Sequence, residues 1–252
     1  MLARCSASSR LAGCLVGFIT LPVAADMMQI SASRDTTLYE SATGALGNGS
    51  GQYFFAGTTN QPQLRRALLA FETTSILPEN ALIQSVTLRL HVASTSTQTN
   101  IFSLYRMNSN WTEGASDATG TEGSGATALT GDATWLHSSL PGALWNTAGG
   151  DFNSVASAIL SIGDLGFYSW TSAQMTSDFR AWVANPQSSF GWMLRGDESA
   201  VGTTRRFDSS ESFDSTLAPT LVIEYSIVPA PGSLALLSIS SALALGKRRR
   251  RA

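Results

Sequence analysis

Three observations predict an all-β fold, a jelly-roll-type β-sandwich with one accessory helix. Apolar and polar residues alternate with period two in several short segments, Gly-, Asn- and Ser-rich turns separate those segments, and a single segment carries a helical apolar face. Two non-globular ends flank this body: an N-terminal signal peptide and a C-terminal transmembrane sorting segment.

The first element is the leader, residues 1–25. Arg4 and Arg10 precede the apolar stretch Leu11 to Leu21, and Val23, Ala24 and Ala25 supply small residues before Asp26. Cationic start, apolar middle and small-residue end are the order of a secretory signal peptide, with cleavage expected after Ala25. Both cysteines, Cys5 and Cys14, fall in this leader. A thiol-free body bound for an oxidising compartment must draw its stability from its own core, and about 200 residues suffice for that.

Within the body, residues 26–227, the clearest strand is Val86-Thr87-Leu88-Arg89-Leu90-His91-Val92, with valines and leucines on one side and Thr87, Arg89 and His91 on the other. Further strands are predicted at Tyr53–Ala56, Arg66–Phe71, Ile101–Met107, Phe190–Arg195 and Thr220–Tyr225. One helix stands out, because Met175, Phe179, Trp182 and Val183 share a face. Thr171 and Gln174 offer it a capping box and Pro186 ends it. Residues 115–130 are almost wholly Ala, Gly, Ser and Thr with two acids, which predicts a mobile insertion.

The tail, residues 228–252, combines Val228, Pro229, Pro231 and Gly232 with an uncharged run, Gly232–Gly246, and then Lys247, Arg248, Arg249, Arg250 and Arg251. Its fifteen uncharged residues would reach roughly 22 Å as a helix, against a hydrocarbon core of roughly 30 Å. Snorkelling cations and local thinning make up the difference, and the cationic run stays on the cytoplasmic side.

Charge narrows the function classes. Between Asp26 and Ile227 lie nine arginines and eighteen acids, a net of −9, which disfavours nucleic acid and anionic membrane as partners of the body. The single lysine is Lys247, so the body has no Walker-type phosphate loop, pyridoxal Schiff base or lysine general base. The two histidines, His91 and His137, come without metal-ligand spacing, and no Gly-x-Ser-x-Gly elbow is present.

Two resemblances add to this reading. The tail, Val-Pro-Ala-Pro-Gly followed by a short apolar helix and an arginine cluster, resembles the PEP-CTERM sorting signal of exopolysaccharide-making Gram-negative bacteria, with Ala230 where that family carries glutamate. The resemblance implies a membrane exosortase that cuts near Pro229–Gly232, transient contact with the inner membrane, and release to the cell surface or extracellular matrix; uncut anchoring is the alternative. The ordered pieces "RRALLAFETTSILPENALIQSVTLRLHV", "YRMNSNWTEGASDA", "GDATWLHSSLPGALWNTAGGDF" and "TSDFRAWVANPQSSFGWMLRGDES", with a closing "APTLVIEY", resemble the DNRLRE-type domain over most of residues 30–226. That implies a non-catalytic, carbohydrate-binding-module-like sandwich whose partner is extracellular polysaccharide.

Trp111, Trp135 and Trp145, with His137 as a polar neighbour, lie outside clean strand alternation and are the candidate glycan site, since apolar sugar faces complement aromatic rings. The competing role for these tryptophans is to plug the open ends of the sandwich. No cofactor is expected beyond a structural calcium ion, for which Asp132, Asp151, Asp197 and Glu198 sit beside glycines; Asx-turns explain the same acids. Arg195 with Asp197, and Arg205 or Arg206 with Asp208, are candidate salt bridges or contacts to acidic sugars. The alternative to a binding protein is a polysaccharide hydrolase or lyase using carboxylates among Glu113, Asp117, Glu122 and Asp132.

Overall fold

The computed structural model describes residues 25–94 and 98–228. The leader before Ala25 therefore lies outside the described residues, as do Pro229, Pro231, Gly232 and Arg248 to Arg251 of the sorting signal. Among the described residues, no helix is long and apolar enough to cross a membrane.

The described residues are mostly strand with one α-helix. In order, the strands are β1 (Asp26–Ser31), β2 (Arg34–Tyr39), β3 (Leu46–Gly47), β4 (Tyr53–Thr58), β5 (Leu64–Ala70), β6 (Ala81–Ser94), β7 (Asn100–Met107) and β8 (Ala126–Thr127). They continue with β9 (His137–Ser139), β10 (Ala143–Leu144), β11 (Phe152–Ile162) and β12 (Gly166–Thr171). Helix α1 (Ala173–Ala184) then precedes β13 (Trp192–Arg195), β14 (Arg205–Asp208) and β15 (Thr220–Ile227).

Eleven of the strands form one antiparallel sheet that curls over itself into a sandwich-like arrangement. Long β6 organises one layer: β12 pairs along Thr87–Val92, while β15 and then β14 pair along the other edge, with β1 outside β15. The second layer runs β2-β5-β13-β7-β11. Strand β4 joins them, pairing with β14 through Tyr53–Ala56 and with β5 through Gly57 and Thr58. Gly57 makes that corner possible. Its φ is +115°, and a Cβ there would lie 2.8 Å from the Cα of Thr204.

Between the layers lies the main core, built from alternate residues as period-two patterning demands. Leu88, Leu90 and Val92 of β6 face Leu69 of β5, Phe102 and Leu104 of β7, and Trp192 and Leu194 of β13. Phe54 stacks on Phe207 at 5.3 Å, and helix α1 adds Met175, Phe179 and Trp182, the last 4.4 Å from Trp192. Buried Asp178 ties helix to sheet by accepting from Ser157 Oγ at 2.5 Å, Trp192 Nε1 at 3.1 Å and Gln174 Nε2 at 3.0 Å.

The six strand segments predicted from alternation all overlap strands; β13 starts only at Trp192, two residues later than predicted, and β5 ends at Ala70, one residue early. Helix α1 is capped one residue later than predicted: Ser172 Oγ accepts from Met175 N at 3.0 Å, and Gln174 is spent on Asp178. Residues 115–130, which composition suggested as a mobile insertion, are tied to the body by hydrogen bonds although many of their side chains are exposed. The backbone carbonyl of Glu122 accepts from the Tyr39 hydroxyl, and its carboxylate accepts from Asn48 Nδ2, Gln52 N and Tyr53 N. Strand β8 also pairs with β3. Buried backbone donors demand acceptors, and the buried Glu122 carboxylate satisfies two of them here.

Candidate functional site

The outer face of the second layer is itself apolar, because Leu38, Leu68, Ala70, Met107 and Met193 point away from the main core. Left bare, such a face would expose a large hydrophobic surface. The segment from Asn108 to Asp151 covers much of it and supplies Trp111, Trp135 and Trp145 to a second core. These tryptophans are only 1%, 8% and 6% exposed. Trp111 Nε1 donates to Phe190 O at 2.8 Å and Trp145 Nε1 to Thr134 O at 2.9 Å, so their polar edges are consumed internally. Arg66 lies 4.9 Å from the Trp135 ring, and a Cβ on Gly149 (φ +86°) would come within 2.8 Å of that indole. The expectation that these three rings stack on sugars is corrected: a sugar needs an open ring face, and these faces are core. His137 sits half-buried on β9, its Nδ1 3.1 Å from the Thr134 hydroxyl.

The cap stops short of the whole face. Where it ends, β7, β13 and β11 present an open strip. Ile101 and Ile159 are 55% and 64% exposed, with Ser103 and half-buried Tyr105 on the same side of β7 as Ile101. Tyr105 and Phe152 meet edge-to-face at 5.3 Å. The guanidinium of Arg195 lies 5.3 Å from the Tyr105 ring and 5.1 Å from the Phe152 ring. Glu198 holds that guanidinium in place, accepting from its Nε at 3.1 Å and from Nη2, and accepts from Arg66 Nε at 2.8 Å and Nη2 at 3.0 Å.

Although burial opposes charge on both partners, the shared hydrogen bonds and opposite charges win: Arg195 rises above its ordinary value and Glu198 falls below its own. The salt bridge expected between Arg195 and Asp197 is thus made to Glu198, while Asp197 accepts from Ser199 in a turn. Asp208 pairs with His91 Nδ1 at 2.6 Å in place of Arg205 or Arg206. Arg205 is buried and donates to carbonyls, including Thr203 O, while Arg206 lies over Tyr53.

Two open clefts border the Tyr105–Phe152 contact, Tyr105 lining one and Phe152 the other. One, of roughly 430 Å³, is lined by Ile101, Ser103, Tyr105, Arg195, Asp197 and Ser199, among others. The other, of roughly 470 Å³, has Asn108, Asn146, Thr147, Asp151 and Phe152 in its lining. Apolar methyls, aromatic rings and fixed polar donors in one shallow groove suit a ligand with both C–H faces and hydroxyls.

The four acids considered for calcium are turned towards donors that leave little for a cation. Asp132 accepts from the N–H groups of Ala115, Ser116 and Leu129. Asp151 accepts from Asn146 N and Nδ2, Thr147 N and Ser109 Oγ. Asp197 and Glu198 are engaged as described, and among the described residues no group of three His, Cys, Asp or Glu side chains is placed to hold a metal ion. Of the carboxylates weighed for catalysis, Glu122 and Asp132 serve the backbone and Asp117 is exposed. Glu113 differs. Its Oε1 accepts from Asp35 N at 2.6 Å, and burial, aided by the charge of Glu211 and opposed by that hydrogen bond and by Arg34, raises its pKa to about 7. Asp35 beside it is raised well above its usual range, chiefly by burial, and Glu211 is raised too.

Neither any family model nor any curated protein matches this chain. Arg195 was already a candidate sugar contact, but Tyr105, Phe152, Ile101 and Ile159 escaped the sequence reading, although a signal was present: in Ile101–Tyr105 the residues opposite Phe102 and Leu104 are Ile101, Ser103 and Tyr105, a face with an aromatic and an apolar residue pointing outward.

Proposed function

We propose that this chain is an exported, non-catalytic protein of the cell surface or extracellular matrix of a Gram-negative bacterium, whose jelly-roll-type body binds glycans. In this reading the leader directs export and is removed after Ala25. The tail from Val228 then halts in the inner membrane, and an exosortase-type peptidase cuts near Pro229–Gly232. The observation that carries the glycan reading is the open groove in which Arg195 is held against the Tyr105–Phe152 pair. It is supported by the way Glu122 and Asp132 are committed to backbone donors. A purely structural role in the exopolysaccharide matrix is the limiting case in which the groove has no ligand.

The second reading, a polysaccharide hydrolase or lyase, rests on one observation: Glu113, with a pKa near 7 beside Asp35 and Glu211, has the protonation behaviour of a general acid. Retention of the protein on the host's extracellular polysaccharide, assayed together with viscosity and reducing ends, separates the two. Retention without product supports binding; new reducing ends or falling viscosity overturn it. Intact mass of the protein from its host reads the tail, with a C-terminus near Gly232 for processing and one at Ala252 for an uncut anchor.

A further inference from the structure

Resting on the glycan reading above, we propose that the groove at Tyr105, Phe152 and Arg195 takes an uncharged, hydroxyl-rich glycan and discriminates against polyanionic ones. An arginine on an open face invites the opposite assignment, a uronate or sulfated sugar, and Arg195 and Arg66 are the cations within reach. Their charge, however, is already spent. Glu198 accepts two hydrogen bonds from each guanidinium, and Arg66 Nη1 donates to Gly149 O at 2.8 Å.

Two guanidiniums against Glu198 leave one positive charge, and Asp197 on the same cleft wall cancels it. Asp151 in the adjoining cleft adds a negative charge. Taken whole, the body carries nine arginines against eighteen acids, so its long-range field repels a polyanion before contact.

What remains for a ligand is directional. Glu198 binds Arg195 through Nε and Nη2 and leaves over Nη1; Arg195 and Ser103 both line the cleft, while the Ser199 hydroxyl, which donates to Asp197, keeps only its acceptor lone pairs for a ligand. A guanidinium fixed by a carboxylate and flanked by two rings is a pre-ordered donor for sugar hydroxyls, with little rotamer freedom left to lose on binding. Exposed Ile101 and Ile159 and the Tyr105 ring offer the apolar contact that the C–H face of a neutral pyranose can use.

The test measures retention of the purified protein on two immobilised chains of matched length, a neutral β-glucan and a polyuronate, at low salt and at about 0.5 M NaCl, where the Debye length falls to a few ångströms. Preferential retention on the β-glucan, unchanged by salt, is the expected result. Tyr105→Ala should weaken it by about two- to tenfold, the range of one aromatic contact. Because Tyr105→Ala also trims packing against Phe152, Ser199→Trp on the exposed rim provides a second variant that fills the cleft without touching either core; it too should lower retention. Preference for the polyuronate, with retention collapsing in salt, overturns the uncharged-ligand assignment while leaving the glycan reading intact. Retention on the β-glucan that neither variant alters overturns the assignment to this groove. Retention on neither chain removes the glycan reading and this inference with it.

Discussion

Replacing Glu113 by glutamine removes one of three carboxylates that β2, the cap and the turn after β14 bring together. Asp35 accepts from Ser210 N and Oγ, each at 2.8 Å, while Glu113 accepts the Asp35 N–H, and Ser210 Oγ also lies 3.0 Å from Glu211. Arg34 is the cation acting on Glu113, but it is committed to Trp111 O and Asn110 Oδ1. A carboxyl whose folded-state pKa lies above its unfolded value holds its proton more tightly when folded. Its contribution to stability is therefore complete below pH 4.5 and is lost as pH rises through about 7. Moving from 4.5 to about 7 corresponds to roughly 3 kcal/mol, and solvent reaching this half-buried side chain screens it to about 1–2 kcal/mol.

Glutamine keeps the acceptor for Asp35 N but never ionises. Thermal unfolding followed by circular dichroism should therefore give Glu113→Gln a melting temperature close to wild type near pH 4.5. Above about pH 8 it should melt about 2–8 °C higher, at about 2–4 °C per kcal/mol for a chain of this length. Carboxylates with depressed values, such as Glu198, lose their contribution only as pH falls below 4.5 and leave this window undisturbed. Parallel stability curves for the two proteins across the window would refute the reasoning, because they would show that Glu113 pays no penalty for its charge.

Trp145→Ala should cost about 3–5 kcal/mol, the usual range for deleting a buried indole, read as a lower denaturation midpoint. If the variant keeps full stability, the second core is not what holds the cap down. Adding calcium or a chelator should leave the melting curve unchanged, since Asp132 and Asp151 already accept several hydrogen bonds each; a clear upward shift with calcium would restore a metal to the fold.

Strands with one buried face were legible because alternation is the direct imprint of a two-sided environment, as in β6. Strand β2 was missed for the complementary reason. Arg34–Tyr39 is buried on both faces after its first residue, between the two cores and the cap, so no alternation survives. Strand β11 was missed because its register with β7 shifts at two points, which breaks period two. The cap illustrates a different limit. Composition showed that residues 115–130 lack apolar bulk, but not that Glu122 and Asp132 would gather so many backbone donors.

By itself the sequence determined that the body is β-rich, acidic, thiol-free and equipped with one amphipathic helix, because composition and periodicity record local environment. Tertiary structure alone decided which aromatics are core and which are open. Whether a tryptophan can meet a ligand depends on the surface beneath it. The apolar outer face of β5 and β13 drew Trp111, Trp135 and Trp145 inward, leaving Tyr105, Phe152 and Arg195 at the groove where the cap ends.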